Sequence, residues 1–256
     1  MNNSNLKVLF ITQEDPLYVA EFWEEFSKYI GELKDKGISF SGIVSLETLG
    51  KKSKVDLFKQ VYGFYGPIGT LKLGLKYLKK RYRTIEYYAN KMGFNFLKIS
   101  KLNSKDFIEY VSKQDIVFSV AASQKFKKGL LEAPKYGCFN IHNGPLPKYR
   151  GMMPVFWQIW NGEKKIGITI HKMNEQLDDG EIILQEFVEL PKGATVDEIM
   201  VLCKHFAAKL VVEFLSDFHK YIENPKFNDK NQATYFSFPK KENRKELYRN
   251  KGIKLI

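Results

Sequence analysis

The chain has 256 residues, of which 44% are hydrophobic and 14% aromatic, and its formal net charge is +12. This apolar content excludes a disordered chain, and no apolar run approaches the ~20 residues that a membrane-spanning helix needs. Cys138 and Cys203 are too few for a disulfide framework and lack metal-ligand spacing, so we expect a cytoplasmic protein without a metal site. The charge favours an anionic partner, such as nucleic acid, nucleotide phosphates, an anionic cofactor or acidic lipid, or else a lysine-rich solvated surface.

The first predicted elements are a strand, a helix and a second strand. Residues 7–12 (KVLFIT) form an apolar run typical of a strand buried on both faces, and the run is too short for a secretory signal. Residues 16–36 place apolar side chains every three or four positions, which predicts a helix that ends at Gly37. Residues 40–45 predict the second strand. This order indicates a parallel sheet wrapped by helices.

The segment over residues 55–93 is rich in Lys, Arg, Tyr and Phe. Its spacing predicts helical structure that is interrupted at Gly66 and Pro67. Its most basic part, residues 76–83 (KYLKKRYR), is either a patch that meets phosphates or a membrane surface, or the solvated face of a helix. We prefer the solvated face, because the charge pattern of a single sequence discriminates poorly between the two.

The second half of the chain continues the alternation of strands and helices. Strands are predicted over residues 115–120, 138–141, 165–172 and 181–189. Asn103 is predicted to cap a helix over residues 104–113. Thr195 and Glu198 form a capping box that opens a long helix to about Tyr221.

The end of the chain differs in composition, because it is polar, aromatic and basic. We therefore expect a main domain over residues 1–222 and a small C-terminal appendage over residues 223–256. The appendage is predicted to contain a short strand at residues 234–238.

The candidate chemistry lies in residues 139–151 (FNIHNGPLPKYRG). Asn140 and His142 are two residues apart on a strand, so they share a face, and Gly144 places them at its carboxyl end, where open α/β sheets bind ligands. An amide and an imidazole aimed at one point can hold a carbonyl oxygen while negative charge develops on it. Asp178, on the loop LDDG, can orient His142 and hold it protonated. The alternatives are two strand-end residues bonded to loop backbone, and an ordinary acidic turn at Asp178 and Asp179.

Several motifs in order resemble the folate-dependent formyltransferase family: NIHNGPLPKYRG, NGE at 161–163, GITIHKM at 167–173 and LDDGEIILQ at 177–185. The resemblance implies an α/β, Rossmann-like fold, with a mostly parallel twisted sheet flanked by helices and a small C-terminal subdomain. It implies 10-formyl-tetrahydrofolate as formyl donor, no metal, and catalytic roles for Asn140, His142 and Asp178. It also implies a cis peptide between Leu146 and Pro147.

The resemblance further places the pterin near residues 118–124, held mainly by backbone. The residues implied in cofactor binding are Phe118, Val120, Ala121, Gln124 and Asp179. His171 matches a histidine beside the site in one branch of the family, and it is otherwise a strand residue hydrogen-bonded in the core.

The form HNGPLP, with Gly144 where other branches have serine, and the ending TYFSFP at 234–239 resemble short nucleotide-sugar N-formyltransferases. This implies an amino-sugar nucleotide acceptor, for bacterial surface polysaccharides such as lipopolysaccharide O-antigen, and a homodimer. Lys148, Tyr149 and Arg150 then reach a diphosphate or form a solvated turn. Tyr235 stacks on a base or closes the dimer interface.

Other acceptors remain open: glycinamide ribonucleotide and methionyl-tRNA. The segment after the long helix is too short for the C-terminal domain with which methionyl-tRNA formyltransferases hold tRNA. A different class is a non-catalytic, basic nucleic-acid-binding protein on the same scaffold. The intact Asn140, His142 and Asp178 argue against that class, so we expect no stable nucleic-acid partner.

Overall fold

The computed structural model describes residues 5–47 and 54–256, and the elements below lie within these ranges. Its strands are β1 (Leu6–Gln13), β2 (Ile38–Leu46), β3 (Phe96–Ile99), β4 (Ile116–Val120), β5 (Cys138–His142), β6 (Arg150–Gly151), β7 (Lys165–Lys172), β8 (Ile182–Glu189) and β9 (Tyr235–Phe236). Its helices are α1 (Val19–Phe26), α2 (Ile30–Asp35), α3 (Lys54–Lys80), α4 (Ile85–Met92), α5 (Lys105–Val111), α6 (Lys128–Leu131), α7 (Pro154–Asn161), α8 (Val196–Ser216), α9 (Phe218–Glu223) and α10 (Lys241–Lys251).

The main sheet has the strand order β3-β2-β1-β4-β5-β7-β8. The pairs from β3 to β5 are parallel, whereas β7 and β8 join at one side as antiparallel strands. Helices cover both faces of β1, which is why its run of apolar residues is buried throughout, with Phe10 and Ile11 fully inaccessible. The predicted α/β fold with a mostly parallel sheet is confirmed.

Two layers of side chains pack on the two faces of the sheet. One face holds the larger core, in which Phe10 meets Trp23 and Phe26 of α1 edge to face. The other face is covered by α5 and α6, and its core includes Leu9 and Val117. The predicted helix over residues 16–36 is present as α1, a 3₁₀ turn (Ser27–Tyr29) and α2, and the left-handed Gly37 (φ 81°) ends it.

Three boundaries differ from the prediction. Ser104 takes the N-cap position of α5 without a side-chain capping bond, whereas the amide of Asn103 donates to Lys125 O (3.0 Å) and its oxygen accepts from Lys127 N (2.8 Å). The long helix ends at Ser216 and is followed by the separate α9. The late strand is limited to the two residues of β9.

The C-terminal segment packs on the main core and reaches the carboxyl end of the sheet. Leu247 and Leu255 are buried in the larger core, and β9 pairs in parallel with β6. Gly151 fits this contact because a Cβ there would overlap Phe236 O. The division at residues 222 and 223 stays a prediction. Of the helices described, none is both long enough and apolar enough to cross a bilayer.

Candidate active site

A cavity of about 490 Å³ opens at the carboxyl ends of β4 and β5. Its wall includes Asn140 and His142 from the end of β5, His171 from β7, and Asp178 from the loop before β8. The chain leaves β5 through Gly144 and the Leu146–Pro147 peptide, which is cis as predicted. The cavity has the size of a small-molecule site and lies where open α/β sheets bind ligands.

His142 is held between the loop after β5 and Asp178. Its Nε2 lies 2.8 Å from Tyr149 O, and because a carbonyl oxygen only accepts, Nε2 carries a proton and donates it. Nδ1 faces Asp178 Oδ1 at 3.6 Å, which is an electrostatic pair rather than a direct hydrogen bond. A Cβ on Gly144 would lie 2.8 Å from Nε2, so glycine at this position leaves the space that the imidazole occupies.

Asp178 stands on a loop whose conformation is fixed by several contacts. Its backbone is left-handed (φ 52°), and its Oδ2 accepts a hydrogen bond from Gly151 N at 2.9 Å. Asn228 Nδ2 donates to the carbonyl oxygens of Asp178 (3.1 Å) and Gly180 (2.9 Å). Gly180 is required because a Cβ there would overlap Lys172 O. The conformation of the loop, rather than a choice of side-chain rotamer, therefore directs the carboxylate into the cavity.

Asn140 and His171 are paired across β5 and β7, and Asn140 Nδ2 lies 3.2 Å from His171 Nε2. His171 Nδ1 donates to Lys172 O (3.2 Å), so Nε2 accepts from the amide of Asn140. Burial lowers the pKa of His171 to about 4, which keeps the imidazole neutral and able to accept. His171 thus fixes the orientation of the Asn140 amide and leaves the second N–H of that amide unused by this bond. His171 therefore lies beside the site and is also a buried strand residue with hydrogen bonds on both ring nitrogens.

Arg150 and Asp179 form an ion pair beneath the site. Arg150 Nη1 lies 2.5 Å from Asp179 Oδ1, and Nη2 donates to Asn228 Oδ1 at 2.7 Å. Burial raises the pKa of Asp179, whereas the hydrogen bonds from Asn174, Arg150 and Lys230 lower it. The hydrogen bonds together outweigh burial, so the pKa lies below its usual range. Both charged side chains are buried and neither lines the cavity. The structure thus pairs Arg150 and Asp179 with each other, and the contacts of Arg150 with a diphosphate and of Asp179 with a pterin stay predictions.

The neighbours of Arg150 also differ from the solvated turn that was the alternative. Tyr149 is 4% exposed, its ring stacks on Phe236, and its hydroxyl donates to Glu163 at 2.7 Å. Lys148 is exposed and remains able to meet a ligand. Tyr149 thus anchors the site loop to the C-terminal segment.

The predicted pterin segment divides into core and cavity residues. The side chains of Phe118 and Val120 are fully buried in the core, so their side chains do not reach a ligand. Ala121 and Gln124 line the cavity. Gln124 also ties loops together, since its amide donates to Ser100 O (2.9 Å) and accepts from Leu102 N (3.3 Å).

Lys204 of α8 lines the cavity and was not identified from the sequence. Its ammonium forms no hydrogen bond or salt bridge with any residue that the structure describes, although the charge of Asp15 acts on it. Burial lowers its pKa, which Asp15 opposes. The signal in the sequence is a lysine inside the apolar stripe of a helix, next to Cys203 and before Ala207 and Ala208. An unpaired cation facing a cavity is a candidate anion ligand.

The family model for formyl transferases matches residues 73–215, which is more than half of the chain. The chain therefore belongs to the formyl transferase family, as the sequence motifs indicated. It is 31% identical to the methionyl-tRNA formyltransferase of Thermotoga neapolitana over 62% of this chain and 51% of that protein. It is 44% identical to that of Alkaliphilus oremlandii over 39% of this chain and 32% of that protein. The chain thus spans about half or less of the length of these curated relatives.

Solved structures support the fold. A sugar N-formyltransferase from Shewanella sp FDAARGOS_354 is similar with a TM-score of 0.57 and 21% identity, covering 91% of this chain and 77% of that one. Glycinamide ribonucleotide transformylase 1 from Symbiobacterium toebii is similar with a TM-score of 0.59 and 15% identity, covering 84% of this chain and 88% of that one. The names of these relatives include three different acceptors, so the similarity does not choose among them.

Proposed function

We propose that this chain is an N-formyltransferase that moves a formyl group from 10-formyl-tetrahydrofolate to the amine of an amino sugar. The observation that carries the proposal is the grouping of Asn140, His142 and Asp178 in the wall of one cavity. Their side chains supply an amide donor, an imidazole and a carboxylate, which are the groups that acyl transfer to an amine requires. In the described chain no cluster of three potential metal ligands occurs, and the reaction calls for none.

Each residue has a role in the proposed reaction. The amine nitrogen attacks the formyl carbon, and the Asn140 amide and the Nδ1–H of charged His142 donate hydrogen bonds to the oxyanion that develops. The Nε2–H of His142 stays bonded to Tyr149 O. Asp178 stabilises the charge on His142 and accepts the proton that the attacking amine releases. As the carbon–nitrogen bond to the folate breaks, that nitrogen takes up a proton and tetrahydrofolate leaves. His171 keeps the Asn140 amide turned toward this point.

Features at the rim and inside the cavity support a nucleotide-linked sugar. The Tyr235 ring is 65% exposed and lies 3.0 Å from the position of a Cβ on Gly151, a cavity residue, so it can stack on a base. Lys148 is exposed beside the site loop, and Lys204 presents an unpaired ammonium to the cavity. An aromatic plane and two cations fit a base and its diphosphate.

Methionyl-tRNA is the second candidate acceptor, because the named relatives with 31% to 44% identity are methionyl-tRNA formyltransferases. The same aromatic and basic groups also fit the end of a tRNA. The two acceptors differ in what else they need, since tRNA binding depends steeply on salt through its many phosphates.

The test is release of tetrahydrofolate from 10-formyl-tetrahydrofolate with separate acceptors: a panel of amino-sugar nucleotides, methionyl-tRNA and glycinamide ribonucleotide. We expect turnover with an amino-sugar nucleotide and its loss in His142→Asn. Tyr235→Ala is the matched variant for the acceptor, because it should raise KM for the nucleotide and leave KM for the folate unchanged. Turnover with methionyl-tRNA alone would show that the acceptor is methionyl-tRNA and not an amino sugar. If no amine is formylated, the proposal of formyl transfer is wrong.

The proposal includes a cytoplasmic enzyme that acts as a homodimer through its C-terminal segment. Tyr235 lies on the exposed side of β9, where a second copy could meet it, and this contact is the alternative to stacking on a base. Light scattering on the purified protein measures the mass, and Tyr235→Lys should favour the monomer. A monomeric mass at working concentration contradicts the dimer.

A further inference from the structure

The second half of α3 turns its apolar side chains away from the protein. After the kink at Gly66 (φ 71°), apolar residues follow at intervals of three and four, which places those within α3 on one side of the helix, and Tyr82 follows two residues after its end. We call this set the outer stripe, and each member is between 53% and 72% exposed: Ile68, Leu71, Leu75, Leu78 and Tyr82. Monomeric soluble proteins rarely expose a continuous apolar surface of this kind.

The side of α3 that faces the protein is instead held by charges. Lys76 pairs with Asp197 at 2.7 Å, and Lys80 pairs with Glu21 at 2.5 Å. Both carboxylates are largely buried, so these pairs fix the rotation of the helix about its axis. The second half of α3 therefore turns its charged side toward the protein, and none of the described residues covers the outer stripe.

The residues around the outer stripe are basic. Between Asp56 and Glu86 the sequence has seven Lys and Arg and no Asp or Glu. Lys72 and Lys79 follow Ile68 and Leu75 by four residues each, so they border the stripe, and both are exposed. The ammonium of Lys79 makes no hydrogen bond or ion pair with any of the described residues. An apolar stripe edged by lysines complements a surface that is apolar inside and anionic outside.

We propose that the outer stripe docks this protein on the surface of an anionic lipid bilayer. The leucines enter the boundary between headgroups and acyl chains, the lysines meet lipid phosphates, and Tyr82 lies at headgroup level. A second copy of this chain is the less suitable occupant. A symmetric contact would bring two sets of cations together with no acid between Asp56 and Glu86 to oppose them.

The experiment is flotation of the full chain with vesicles of phosphatidylcholine containing phosphatidylglycerol, compared with phosphatidylcholine alone. We expect binding to the anionic vesicles that weakens as salt is raised. Leu75→Gln should weaken it about tenfold through the loss of one buried leucine, and Lys79→Glu should do so only on anionic vesicles. Neither side chain lies in the core, so circular dichroism should stay unchanged.

Matched controls are Phe227→Gln, which removes a side chain 81% exposed elsewhere, and Lys105→Glu on α5. Both should bind vesicles like the unmodified chain. Absence of binding to anionic vesicles, or equal weakening by the controls, overturns the proposal. So does a dimer that Leu75→Gln converts to a monomer without vesicle binding, because the stripe would then belong to a second copy.

Discussion

Arg150→Leu tests whether the ion pair beneath the site positions the catalytic loop. The change removes two bonds, to Asp179 (2.5 Å) and to Asn228 (2.7 Å), and leaves the Asp179 carboxylate buried with weaker partners. Breaking a buried pair from one side costs about 3–5 kcal/mol. Lys230 still reaches Asp179 at 3.2 Å but is 60% exposed, so we expect a loss near the lower end, about 3 kcal/mol of unfolding free energy.

Urea unfolding followed by circular dichroism measures this loss. Lys148→Leu is the matched control in the same loop, and its exposed side chain should change the unfolding free energy little. In Arg150→Leu with Asp179→Leu, no unpaired charge remains, so much of the stability should return. Turnover should not return with it, because Asn228 loses a partner and the Asp178 loop loosens. A loss below about 1 kcal/mol in Arg150→Leu refutes the reasoning.

Further predictions concern the cavity itself. His142→Asn should lower turnover about 10²-fold or more with little change in KM, and adding Asp178→Asn should cost little extra, since the two act as a unit. Gly144→Ala should lower turnover about tenfold while the protein stays folded, because the new Cβ meets the imidazole of His142 at 2.8 Å. Lys204→Gln should raise KM for the anionic acceptor and leave folate KM unchanged. His171 binds its proton with a pKa of about 4 when folded and 6.5 ordinarily, so the unfolded chain takes up more protons between these values. The unfolding free energy should therefore fall as pH drops from 6.5 to 4, by up to about 3 kcal/mol, and His171→Asn should remove that dependence.

Each of these has an outcome that contradicts it. Near-normal turnover of His142→Asn with the true acceptor means that the assigned mechanism is wrong. Crystals of Gly144→Ala with an unmoved imidazole would contradict the steric argument. If Lys204→Gln changes KM for the acceptor and KM for the folate equally, its effect is structural. His219→Asn is the matched control for the pH experiment, and it should keep the pH dependence that His171→Asn loses.

The longer strands and the first and last large helices were predictable because burial leaves a pattern in the sequence, whereas the short β3, β6 and α6 and the helix α7 were not predicted. β1 and β4 are buried on both faces, which selects unbroken apolar runs, and the alternation of strands with helices then implies a parallel sheet. The kink in α3 was predictable from Gly66 and Pro67. In contrast, α10 (KENRKELYRNK) buries only Leu247 and so has almost no apolar period, which is why the helix was not predicted.

The cap of α5 shows a different limit. Asn103 and Ser104 are both residue types that cap helices, so the sequence offers two positions one residue apart. The choice depends on a tertiary contact, because the amide of Asn103 is already bonded to Lys125 and Lys127 on the loop before α6. Such a contact has no local signature.

The two adjacent aspartates show why the roles of loop residues escape sequence reasoning. In a strand, the two side chains would point to opposite faces, and the sequence would predict this. Asp178 instead has a left-handed backbone in a loop, where no regular alternation predicts the direction of a side chain. The structure sends Asp178 into the cavity and Asp179 into the interior, where Arg150 neutralises it. A buried charge without a partner is costly, so Asp179 is tolerated only with Arg150, while a carboxylate facing a cavity is free to take part in proton transfer. The same residue type thus lines the cavity at position 178 and forms an internal ion pair at position 179, and the difference lies in the contacts of Gly151, Asn228 and Arg150 rather than in the motif.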